Sequence, residues 1–360
     1  MLYLLLTPLK EQFSVLNVFR YITFRASYAA VTSLLLCFFL GPPLIRWLRR
    51  IGMKDNLRPY LEEAHQKKKG TPTMGGIIML ISITVSILLW ADLSNRFILI
   101  SLFSLLWLGA IGIVDDVLKV KKNVGISAKT KLLGQFALGL VLGVILTLKP
   151  QVTGYENMTS LLFLKNIFLN LGWFYIPFII FVIVGTSNAV NITDGLDGLA
   201  TGLIVVTAVG YAVLSYITGN VNMSEYLNIL FINGSGELTI LCVAIAGAAL
   251  GFLWFNTHPA QVFMGDAGSL TLGGILAVTA ILIKQEILLI LLGGLFLIEV
   301  LSVISQVIYF KLTRGKRLFR MAPIHHHFEK IGWAEQKIVV RFWIIAILLA
   351  LVGLSTLKIR

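Results

Sequence analysis

The sequence predicts an all-α fold: a polytopic membrane bundle of about ten transmembrane helices. Three observations predict it. The 360 residues are 57% hydrophobic and 13% charged, with mean hydropathy +0.88, which a water-soluble domain does not sustain. Apolar runs near the ~20 residues that a bilayer requires recur from end to end. The runs are continuous rather than alternating, which favours helices over a barrel.

Ten spans can be drawn, at roughly 21–44, 73–91, 97–114, 132–149, 173–190, 199–217, 237–256, 269–283, 288–310 and 338–357. Lys10, Glu11 and Arg20 precede the first and do not form a signal-peptide pattern. The second opens on GTPTMGG, where Pro72 and the glycines make a turn. The third closes on the acids Asp115 and Asp116, and the fifth runs into VGTSNAVNITDGLDGLATG. The eighth is the shortest, the ninth carries the lone acid Glu299, and Arg341 lies within the tenth. This spacing leaves no room for a separate soluble domain, so residues 1–360 read as a single membrane unit.

Alternation sorts the connections into two sets. Loops of about 45–72, 115–131, 191–198, 257–268 and 311–337 carry 20 of the 30 Lys and Arg residues. Basic residues accumulate in cytoplasmic loops, so this set is expected in the cytoplasm and both termini outside, in the periplasm. The net charge of +13 has its simplest origin here, because the basic residues are scattered between spans. No nucleic-acid partner is expected. Cys37 and Cys242 lie inside apolar runs and suggest neither a disulfide framework nor a zinc site.

The unusual residues all fall on the basic side. Adjacent acids at a membrane edge need a positive partner. For Asp115 and Asp116 that is either the neighbouring Lys119, Lys121 and Lys122 or a divalent cation with phosphate. If the fifth span stays helical to about 197, Asn188, Asn191, Asp194 and Asp197 form one polar stripe facing a wet cleft. Helix capping is the plainer reading of one or two of them. Asp266, between Gly265 and Gly268, reads as a third carboxylate for Mg²⁺ or as an N-cap. Phe263 reads as packing or as a platform for a base. His325, His326 and His327, expected in an extended segment, suit hydrogen bonding to phosphate better than zinc. A loop lying on anionic headgroups is their plainer reading. Lys67 to Lys69 either anchor their loop to lipid or grip a pyrophosphate; GTPTMGG lacks the order of a Walker loop.

TPTMGG, the Asp115–Asp116 pair, NAVNITDGLDGLA, FNTHPAQVFMGDAGSL and MAPIHHHFE together resemble the phospho-N-acetylmuramoyl-pentapeptide-transferase family. That family belongs to the polyprenyl-phosphate N-acetylhexosamine-1-phosphate transferases. The resemblance implies a Mg²⁺-dependent enzyme of the bacterial inner membrane, often a homodimer, with a cytoplasmic site. It implies transfer of phospho-MurNAc-pentapeptide from UDP-MurNAc-pentapeptide to undecaprenyl phosphate, giving lipid I and UMP. Asp115, Asp116 and Asp266 match the catalytic and metal residues. Asn191, Asp194, Asp197 and Phe263 match the nucleotide end. Lys68, Thr73, Lys119, Lys131, Asn256 and His325 to His327 match the contacts to pyrophosphate and sugar. A sister transferase using UDP-GlcNAc is the nearest rival. An ion-coupled transporter is a distant one, since its acids sit near the midplane in internal repeats.

Overall fold

Where no water reaches the peptide groups, apolar runs must close their hydrogen bonds internally, and here they do so as helices. The computed structural model describes residues 1–11, 13–52, 70–122, 124–161, 164 and 167–359. The helices that place the site are α1 Ile22–Arg50, α2 Gly76–Trp90, α3 Arg96–Lys122, α4 Ala128–Leu148 and α5 Tyr175–Thr193. They continue with α6 Leu199–Thr218, α7 Leu238–Asn256, α8 Gly265–Leu282, α9 Gly294–Leu312, α10 Ile324–Ile331 and α11 Glu335–Ile359. Among the described residues, nine helices are long and apolar enough to cross a membrane; α2, with 15 residues, is a shorter apolar helix. With α2 they make the ten expected apolar helices. The chain is a multi-pass membrane protein. A two-stranded antiparallel hairpin, β1 Met158–Ser160 with β2 Phe168–Asn170, lies between α4 and α5.

The bundle is built around α8, which is 94% buried along its span and packs on α3 and α5. Two close approaches fix it. A Cβ at Gly76 would stand 2.2 Å from the backbone N of Gly268, and one at Gly112 would stand 2.5 Å from the Asp266 carbonyl oxygen. Only glycine lets α2 and α3 come so near. At the far end of α8 a buried polar cluster ties the hairpin to the bundle. Thr159 Oγ1 and Tyr175 OH donate to Glu286 at 2.7 and 2.6 Å, and Lys284 Nζ donates to the Glu156 carbonyl at 2.8 Å. By contrast α9 is only 22% buried, and its second half carries exposed Ile304, Val307, Ile308 and Phe310.

Three expectations change. Asp115 and Asp116 are not in a loop: α3 runs on to Lys122, because its partners satisfy the acids within the helix. The polar stripe is broken after α5 ends at Thr193, since Asp194 at its C-cap takes ψ +58°, outside the range of a helix. The three histidines are not extended but occupy the first turn of α10. Lys68, with Lys67 and Lys69, lies outside the described residues.

Candidate active site

One end of α8 gathers five segments that are far apart in the chain. The first amides of any helix lack intrahelical acceptors. At α8 these are met by a side chain from α3. Asp266 N–H donates to Asp116 Oδ1 at 3.1 Å, and Ala267 N–H donates to Asp116 Oδ2 at 2.9 Å. A carboxylate at a helix N-terminus is also favoured by the helix dipole. Asp116 therefore holds the start of α8, and with it Asp266, in place. The sequence allowed Asp266 itself to be an N-cap; instead it lies inside the helix, two residues after Met264.

Asp115 is fully buried. Ile126 N–H donates to its Oδ1 at 2.7 Å. Its Oδ2 faces two ammonium groups, Lys119 Nζ at 2.7 Å and Lys131 Nζ at 2.8 Å, without a hydrogen bond of good geometry to either. The same two lysines reach Asp266, Lys119 at 2.8 Å to Oδ1 and Lys131 at 2.5 Å to Oδ2. Lys119 comes from one turn beyond Asp115 on α3. Lys131 comes from the first turn of α4, where Ser127 Oγ accepts from Thr130 N–H and fixes the helix start. Two cations thus sit between two carboxylates, a square of alternating charge at the bundle edge.

Thr73 borders this square. Phe263 N–H donates to the Pro72 carbonyl, and Gly75 N–H to the Phe263 carbonyl, both at 2.8 Å. This pairing puts Thr73 Oγ1 against Gly265 and leaves Phe263 half-buried beside it.

A second group surrounds the turn after α5. Asn191 Oδ1 accepts from Ser269 Oγ on α8 at 3.0 Å. Asp194 ends α5 as its C-cap and is half-buried. Asp197 turns away from α5: its Oδ2 meets His258 Nδ1 and the Ala260 N–H, each at 3.1 Å. Glu335 Oε1 accepts the Asp197 N–H at 2.7 Å, and its Oε2 also reaches His258 Nδ1. Asn256 joins turn and loop, accepting from Gly198 N–H and Thr201 Oγ1 and donating to the Val262 carbonyl. The histidines diverge: His325 is fully buried against Glu299, His326 meets Glu329, and His327 Nδ1 accepts from Arg320 N–H.

His258 and Glu335 were not among the expected site residues. His258 lies within the motif NTHPAQVFMGDAGS, but Glu335 has no local signal. Gln135 and Ser187 were missed as well. Asn188 Nδ2 donates to Gln135 Oε1 at 2.8 Å, Gln135 Nε2 donates to Ser187 Oγ at 3.1 Å, and Ser187 Oγ donates to the Leu270 carbonyl at 2.7 Å.

Among the described residues two groups have the reach to hold a metal ion: Asp115 with Asp116 and Asp266, and Asp197 with His258 and Glu335, each offering ligand atoms within 4.8 Å of one another. In the second, His258 already bridges both carboxylates. In the first, Asp115 Oδ2 and both Asp266 oxygens are held only by the side-chain ammonium groups of Lys119 and Lys131. Hard oxygen donors with room for phosphate are what Mg²⁺ takes, so the first group fits that ion.

The sequence model of glycosyl transferase family 4 matches residues 97–284. Relatives similar along their whole length carry the match further. A phospho-N-acetylmuramoyl-pentapeptide-transferase of Desulforapulum autotrophicum is 55% identical, with all of both chains covered. Those of Desulfotalea psychrophila and Rickettsia felis are 54% and 51% identical, again with both chains fully covered. The chain belongs to the phospho-N-acetylmuramoyl-pentapeptide-transferase family, within glycosyl transferase family 4. The residues matched to glycosyl transferase family 4 begin in α3 and end just past α8, so they include the three aspartates and both bridging lysines. Thr73, the histidine helix α10 and Glu335 lie outside them. The full-length phospho-N-acetylmuramoyl-pentapeptide-transferase relatives are matched across those parts as well.

Proposed function

We propose that this chain transfers phospho-MurNAc-pentapeptide from UDP-MurNAc-pentapeptide to undecaprenyl phosphate, forming lipid I and releasing UMP for peptidoglycan synthesis. Full-length identity above 50% to relatives bearing that activity's name carries the reading. The square of Asp115, Lys119, Lys131 and Asp266 supports it, because both substrates bring anionic phosphates to one place. An oxygen of the lipid phosphate attacks the sugar-bearing phosphorus of the donor. The bond to the bridging oxygen breaks, and that oxygen leaves with UMP. Such a transfer is mostly positioning and charge stabilisation.

Lys119 and Lys131 supply fixed positive charge where the transferred phosphate and the leaving oxygen pass. Asp115 and Asp266 would hold Mg²⁺, which when bound offsets charge on the diphosphate. Asp116 sets the place of Asp266. Asn191, Asp194, Asp197 and Phe263 form the nucleotide end, with Asn256 holding their turn. Lys68, Thr73 and the histidine helix lie on the side of the pyrophosphate and sugar. The residues 1–360 act as one membrane unit, as a homodimer, with the basic loops and the site in the cytoplasm and the termini outside. The lysine and arginine bias of those loops supports this orientation.

UMP release from purified protein, with both substrates and with or without Mg²⁺, tests the reading. Release only with Mg²⁺, and none when UDP-GlcNAc replaces the donor, is the expected result. A folded protein that yields no UMP from the full mixture rejects it.

A further inference from the structure

Glu299 stands in the first half of α9, inside an apolar span, and carries no exposed surface. An acid at such a place costs free energy unless it faces a partner inside the bundle. Its partner is His325, equally buried, with Glu299 Oε2 3.1 Å from Nδ1. Neither carboxylate oxygen, nor either ring nitrogen, has a hydrogen bond of full geometry. The opposite edge of the imidazole lies against Gly195, where a Cβ would stand 2.3 Å from Nε2. Gly195 is the exposed point of the turn between Asp194 and Asp197. The imidazole therefore fills the space under that turn, and Gly195 has no side chain because the ring occupies its place.

We propose that Glu299 is a positioning residue: it holds His325 through Nδ1, so that the buried ring supports from beneath the Asp194–Asp197 turn on which the nucleotide-diphosphate donor is seated. The inference rests on the function proposed above. A carboxylate on one ring nitrogen fixes which tautomer and orientation the other presents, as in other carboxylate–imidazole pairs.

The test uses the full chain in detergent with UMP release as readout. Glu299→Gln, nearly the same shape without the charge, should raise KM for UDP-MurNAc-pentapeptide about tenfold or more, on the scale that loss of a carboxylate behind an imidazole has in metal sites. KM for undecaprenyl phosphate should stay unchanged. Gly195→Ala, which pushes the ring aside without touching Glu299, should give the same split. The double variant Glu299→Gln/His325→Ala should be no worse than His325→Ala, since the two act as one unit. Additive effects, an unchanged donor KM in Glu299→Gln, or both KM values rising together would overturn the proposal. Should the variants not fold, wild-type protein with ring-¹⁵N histidine decides by magnetic resonance. The slowest-exchanging of its five histidines should carry a proton on Nδ1; a neutral ring protonated on Nε2 alone overturns the pairing. Failure of wild-type protein to release UMP would reject the proposed function and leave that spectrum to judge the pair.

Discussion

Gly112→Ala tests whether the site depends on the contact between α3 and α8. The new methyl carbon would stand 2.5 Å from the Asp266 carbonyl oxygen, 2.6 Å from Ala267 Cα and 2.8 Å from Ala267 N. Comfortable contacts between such atoms begin near ~3.5 Å, so the two helices must separate by roughly 1 Å. Nothing there can rotate away, because all three atoms are backbone. Overpacking of this kind costs about 1–3 kcal/mol. The displaced residues include Asp266, and a misplacement of about 1 Å in a reacting group costs on the order of 10²-fold in rate. Gly109, one turn earlier on the same face, is the control: its Cβ would meet Leu80 Cδ1 at 3.1 Å and Thr271 Oγ1 only at 4.0 Å. Leu80 can change rotamer. UMP release at saturating substrates, with the thermal unfolding midpoint in the same detergent, should show Gly112→Ala down about a hundredfold. Gly109→Ala should stay within about twofold. A Gly112→Ala enzyme at the wild-type rate, or equal losses in both variants, would refute the dependence.

Further outcomes are expected. Asp266→Ala and Asp115→Asn should each lower turnover by about 10³-fold or more while the protein remains folded, as seen by size exclusion and the melting midpoint. A near wild-type rate for Asp266→Ala would remove its metal role. Asp116→Asn keeps one acceptor for the two amides of α8 and loses the other, so it should cost about 1–3 kcal/mol of stability as well as rate. An unchanged melting midpoint would contradict the cap. Lys284 offers a pH test. Burial pushes its ammonium down to about 8, against opposing pulls from Glu286 and Glu156. The cost of burying the charged form is present below that value and is relieved as pH rises towards the ordinary lysine range, so stability should climb above pH 8. Thermal midpoints across that window should rise for the wild type, and Lys284→Met should abolish this part of the slope. Glu286 acts at lower pH in the opposite sense, since burial raises its carboxyl above the usual glutamate range and stability then falls as pH rises through that window.

The spans were legible because bilayer length and continuous apolarity leave few alternatives. Loop parity brought the motif residues to one end, where Asp116 and Asp266 now meet through backbone amides. Where the sequence misled, the cause was a partner it could not display. Nothing in GAIGIVDDVLKV says that the second acid is spent on the first amides of α8, so the helix was expected to stop there. The three-residue spacing of Asn188 to Asp197 imitates a helical face, yet Asp197 turns towards His258 and Glu335. In MAPIHHHFE the turn of α10 sends three like side chains to three different neighbours. The pairing of Glu299 with His325 required the fold.

The two ends of α8 differ in chemistry but agree in effect. Below, a carboxylate from α3 grips its first amides; above, Lys284 and Glu286 rivet the following turn to Tyr175 of α5 and to Thr159 of the hairpin. A rod fastened at both tips cannot slide along its axis without breaking bonds at each. Whatever adjusts as two bulky substrates come and go must be the turns and peripheral segments around this fixed spindle, with Asp266 as their stationary reference.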